Sequence, residues 1–157
     1  MLMVVLYTSI SMFLHNNMSR LYFVSEHRMD GVTLEPRVPQ NFLTKHGYED
    51  NTTKRVCFST SIDGCLIALS QNIKGKIFYV HEPVKKPTSI KVPTKKQVPD
   101  VAHTHEVWVT EPVTLKVTGK IVVKDAKPKE LHYFYGDNHE AILYGWNYTA
   151  VHLEKLL

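Results

Sequence analysis

"HTHEVWVTEPVTLKVTGKIVVK", residues 103–124, contains two extended segments separated by a proline, and its reading decides the fold. Val107 and Val109 alternate with Glu106, Trp108 and Thr110, and beyond Pro112 the run Val113, Leu115, Val117 alternates with Thr114, Lys116 and Thr118. A period of two predicts strands with one face turned inward, and a proline between them predicts a break rather than one continuous element. Glu106 then sits at the mouth of the first strand, behind the pair His103 and His105. It is either a carboxylate aimed at a ligand or the first exposed residue of an edge strand.

Outward from this pair, the same β-branched and aromatic character recurs in "RLYFVS" (20–25), "RVCFST" (55–60) and "KIFYVHE" (76–82). One helix is expected over 61–73, "SIDGCLIALSQNI": Ser61 and Asp63 occupy capping positions, and Cys65, Leu66, Leu69 and Ile73 fall on one face. "NHEAILYGW" (138–146) reads as a second, short helix, and the bland account of the aromatic segment that contains it is a closing hairpin or helix that completes the core. No repeat is present, and strands and helices do not alternate as parallel units do, so the expected fold class is α+β with a largely antiparallel sheet. The irregular stretches 26–54 and 83–104 have the length of binding loops or lids.

Composition sets outer limits. The 157 residues, 43% hydrophobic and 22% charged, suit a single domain with a core large enough to fold without a metal or disulfide staple. The excess of 19 Lys plus Arg over 15 Asp plus Glu is small, and the lysines at 85, 86, 91, 95 and 96 lie among prolines without interleaved aromatics, which argues against nucleic acid as a partner. Cys57 and Cys65 lack the spacing of a metal site and fit a reduced cytoplasm. "MLMVVLYTSISMFLH" has neither the basic start nor the length of a membrane segment, so residues 1–17 are expected to be an upstream extension or tail before a chain beginning at Met18, or else a first strand. No phosphate-cradling glycine loop and no serine-nucleophile elbow occurs. His103, His105 and Glu106 are metal-ligand types, but spacing places no further protein ligand beside them.

The order of "LYFVS" (21–25), "RVCFSTSIDGCLIAL" (55–69), "GKIFYVHEP" (75–83) and "EVWVTEPVTLKVTGKI" (106–121), with proline-containing loops between, resembles the ADP-ribosyltransferase fold across roughly residues 20 to 123. The motif order is similar to that of the rifampicin ADP-ribosyltransferase family, with "YVHEP" and "TEPVTLKVTGKI" matching its last two elements. The family's histidine falls here at Phe23 and its tyrosine at Cys57, while its acidic residue falls near Ser89, so drug modification is not implied. Glu106 instead matches the glutamate that other branches, including poly-ADP-ribose polymerases, place at the start of this strand. "FSTS" is similar to the Ser-Thr-Ser that shapes the nicotinamide pocket in toxin-type members.

The resemblance implies a small split-sheet domain over 18–157 that uses NAD as a substrate. Glu106 would be the catalytic carboxylate, and Tyr22, Phe23, Ser25, Ser59, Thr60, Ser61 and Tyr79 would bind the dinucleotide. A carboxylate suits the chemistry because cleavage of the nicotinamide–ribose bond builds oxocarbenium character, as glycoside cleavage does. The other expectation is an inactive scaffold that binds a protein or nucleotide ligand, such as an accessory or inhibitor protein of a phage or mobile element. The bland account of "STS" is a helix cap. The C-terminal segment 130–157, which holds Tyr133, Phe134, Tyr135, Tyr144, Trp146 and Tyr148, lies outside the resemblance and is the candidate surface for a protein target.

Overall fold

A computed structural model describes residues 20–154; the expectations for residues 1–17 lie outside that span. Two antiparallel sheets carry the fold. In the smaller, β6 (Glu106–Val109) lies between β3 (Val56–Ser59) and β5 (Ile90–Lys91). In the larger, β7 (Val113–Tyr135) is flanked by β4 (Ile77–Pro83), with β1 (Phe23–Ser25) beyond it, and on its other side by β2 (Thr33–Leu34) and β8 (His139–Glu154).

The alternation at 106–115 therefore has a direct structural counterpart. Val56, Phe58, Val107 and Val109 share one face of the small sheet and close on Leu21, Val113 and Leu115 in a buried cluster. A second cluster joins Val24, Phe78, Val80, Ile121 and Val123 of the large sheet to Cys65 and Leu66 of α2 (Ile62–Ala68). This helix forms where expected but is shorter. Ser61, in extended conformation, accepts a hydrogen bond from Gly64 N at 3.0 Å, and Asp63 lies in the first turn, where the helix dipole favours an acid. It stops at Ala68 because Ser70 adopts φ 53, which redirects the chain, so that Ile73 fills the core from outside the helix.

Two expectations are corrected. β6 is not an edge, because β5, drawn from the basic proline loop, pairs with it through Ile90↔Val109 and Lys91↔Trp108. "NHEAILYGW" is not helical: from His139 to Glu154 the chain pairs residue for residue with β7, and Gly136 (φ 57) and Asn138 (φ 69) make the turn between them. The long hairpin wins over local helix preference because Trp146, Tyr148 and Ala150 alternate onto the α2 cluster. Two short helices, α1 (Phe42–Lys45) and α3 (Val101–Thr104), order the long loops. Asn41 and Thr44 cap α1 reciprocally, each side chain taking the other's backbone N–H.

Candidate functional site

Glu106 begins β6 directly after α3, and His105 turns the chain between them with φ 52. Because side chains alternate along a strand, Glu106 and Trp108 project to the face away from the valine cluster. The fully buried Trp108 donates its indole N–H to Glu106 Oε1 at 2.8 Å and so fixes the carboxylate. On the same face the Arg55 guanidinium lies 4.1 Å from the Trp108 ring centre. Arg55 is itself buried, and its charge is met by Glu49 Oε1 at 2.9 Å and by the carbonyls of Asp50 and Thr53.

This network opens into a cleft of about 890 Å³. Glu49, Cys57, Asp100, Thr104 and Glu106 line its inner end, α1 and α2 supply Phe42 and Ile67, and the hairpin supplies Tyr133, Tyr144 and Trp146. Three carboxylates share this partly closed space, and burial together with a like charge raises the proton affinity of two of them. Burial, then repulsion from Glu106, lifts Glu49 to about 7 against the opposing pull of Arg55. Burial and the same glutamate lift Asp100 to about 6. The Cys57 thiol is pushed well above its ordinary range by burial and by Glu106, so it is neither a thiolate nor a nucleophile at neutral pH. A carboxyl group that titrates near neutral pH, as Glu49 does, can both give and take a proton there, which general acid–base chemistry requires.

The other residues expected at a nucleotide site lie elsewhere. Ser59 stands opposite Glu106 in register, but its hydroxyl donates to Thr104 O at 2.7 Å and accepts from Ser61 N at 3.1 Å. Helix α2 seals it: a Cβ on Gly64 would lie 2.4 Å from Ser59 Oγ and 2.1 Å from Thr104 O. Ser61 caps α2 and meets His105 Nδ1 at 3.0 Å, and Thr60 is held by its backbone N–H on His105 O. Phe23 packs edge-on against Phe58 and His81 in the core between the sheets. Tyr22 packs on the α2 cluster beneath the Arg20 guanidinium. Tyr79 and Ser25 face each other across β4 and β1, with Lys120 over the tyrosine ring. None of these seven lines the cleft that holds Glu106.

Glu49, Asp100 and Arg55 were not marked by any motif. The first two come from "GYED" and "VPD" in the long loops, and only their acidity near a loop end distinguished them. The histidines do not converge. His81 is buried and neutral: Nε2 accepts from Met29 N at 2.9 Å, so Nδ1 carries the proton and donates to Phe23 O at 3.0 Å. His103 meets His132 O. Among the described residues no cluster of His, Cys, Asp and Glu has the arrangement of a metal site, and no helix is long and apolar enough to cross a membrane.

Comparison of the chain with protein-family models, with curated proteins and with solved structures returned no match, so the site stands on its own geometry.

Proposed function

We propose that the cleft around Glu106 is a glycosyl-transfer site of the ADP-ribosyltransferase type, with NAD as substrate and an acceptor of unassigned class. One observation carries this: Glu106, anchored by Trp108, lines an open cleft together with two carboxylates of raised proton affinity. The division into two antiparallel sheets and the motif order of 20–123 support it.

In this reading the ribose C1′–N bond breaks and its electron pair leaves with nicotinamide, which departs neutral. Glu106 holds the ribose 2′-hydroxyl, and that bond strengthens as positive charge develops. The acceptor heteroatom bonds to C1′ and gives its proton to a cleft carboxylate. Glu49, titrating at about 7, is matched to receive it near neutral pH. The rings of Tyr133 and Trp146 offer flat faces for the nicotinamide or adenine, in place of Tyr22, Phe23 and Tyr79.

The test is calorimetric titration with NAD and with ADP-ribose, together with an assay of nicotinamide release. Heat with NAD and slow release that Glu106→Gln abolishes, with NAD affinity retained, is the expected result. Release unchanged in Glu106→Gln rejects the assignment.

A second reading, a scaffold that binds a nucleotide or protein ligand without turnover, is favoured by one specific observation. The position of the family's histidine is Phe23, half-buried and packed against Phe58 and His81, and the hydroxyls of Ser59 and Ser61 are committed to the backbone. Heat with NAD or ADP-ribose but no nicotinamide release selects it.

A further inference from the structure

Strand β8 presents an edge unlike those that protect isolated domains. Among the described residues it pairs only with β7, leaving its other side without a strand from His139 to Glu154. Natural edge strands are blunted by lysine, proline or a bulge. Ala141–Val151 has no charged residue and no proline, and the one bulge of the hairpin lies in β7, between Val123 and Asp125. Ile142, Tyr144, Val151 and Leu153 are 47%, 51%, 36% and 38% exposed along it.

We infer that this edge pairs antiparallel with the same edge of a second copy of the chain, about a two-fold axis at Trp146. The polar residues that flank the uncharged stretch, Glu140 (which also meets His132 Nδ1 of its own hairpin at 2.7 Å) and His152, select both the occupant and the register. With Trp146 on the axis, Glu140 stands opposite the partner's His152, and the same pair recurs at the other end by symmetry. Between these ends Ile142 meets the partner's Ala150, and Tyr144 meets the partner's Tyr148, the apolar and aromatic cross-strand pairs that stabilise sheets.

The pairing also respects the faces. Trp146, Tyr148 and Ala150 lie on the side packed against the α2 cluster, and in an antiparallel register even positions oppose even positions. The joined sheet therefore keeps both α2 helices on one face, with the two clefts side by side near the axis. This inference is independent of the reaction assigned to the cleft.

Sedimentation velocity of the full chain at micromolar concentrations is the test, with circular dichroism to verify folding. A dimer is expected. Asn147→Lys, an exposed change that brings two lysines together near the axis, is expected to yield a folded monomer. Glu140→Lys is expected to raise the dimer dissociation constant about tenfold, and adding His152→Glu to restore it by setting each new lysine opposite a glutamate. A wild-type monomer at these concentrations overturns the inference, and so does a dimer that survives Asn147→Lys, because it must use another face. Failure of the double substitution to restore affinity overturns the register.

Discussion

Ser59 and Glu106 face each other across adjacent strands of one sheet, yet one is closed and the other open. Ser59 is 4% exposed, covered by Gly64 of α2, and its hydroxyl both donates and accepts within the backbone. Glu106 accepts from Trp108 and looks into the cleft. A hydroxyl can satisfy itself against a carbonyl and an amide, so burial beneath a helix costs it little. A carboxylate accepts only, and keeping it charged requires donors, cations or water. Two polar residues at one register thus diverge because one suits a sealed site and the other does not.

The largest effect is expected on the open side. Arg55→Ala removes the cation between Glu49 and the Trp108 ring, leaving a carboxylate in a half-closed space and a cavity beneath the indole. Removing one partner of a buried pair costs about 3–5 kcal/mol, and urea denaturation should show a loss of this order. A loss under about 1 kcal/mol would mean that the acidic cleft does not depend on Arg55. On the closed side, Gly64→Ala sets a methyl group against Thr104 O and Ser59 Oγ, so α2 must lift. Overpacking of this kind costs about 1–3 kcal/mol, and the same denaturation measurement should also show earlier exchange of the β3 amides.

The smallest effect concerns pH. Glu49 has a raised folded-state value, so between about 4.5 and about 7 the native chain binds more protons than the unfolded one, and this group's contribution to stability falls as pH rises through that window. Glu49→Gln should flatten the profile there by roughly 1 kcal/mol relative to wild type. Parallel profiles for the two proteins would show that Glu49 titrates normally and that the cleft does not store a proton.

The legible parts of the molecule were those in which local pattern and tertiary role agree. Val107, Val109, Val113 and Leu115 announce strands because the same alternation builds the core between the sheets, and Ser61 announces α2 because a cap is a local bond. β8 reads as helix in the sequence because Glu140, Ala141 and Leu143 are helix formers in isolation, and the partner that overrides them, β7, is met only once the hairpin closes. Glu49 and Asp100 carry no signal because loops have no period, and their meaning lies in two loops distant in sequence meeting beside Glu106. The cofactor set was drawn from motif position, which says nothing of whether a side chain is already engaged, as Ser59 and Phe23 are.

Trp108, held between Arg55 at 4.1 Å and Lys91 at 5.6 Å and bonded to Glu106, has an optical consequence. The chain has two tryptophans, and the other, Trp146, lines the same cleft. All of its indole emission therefore originates within or beside the cleft. A ligand entering it, or a proton arriving on its carboxylates, should alter the colour and intensity of that emission without any attached label.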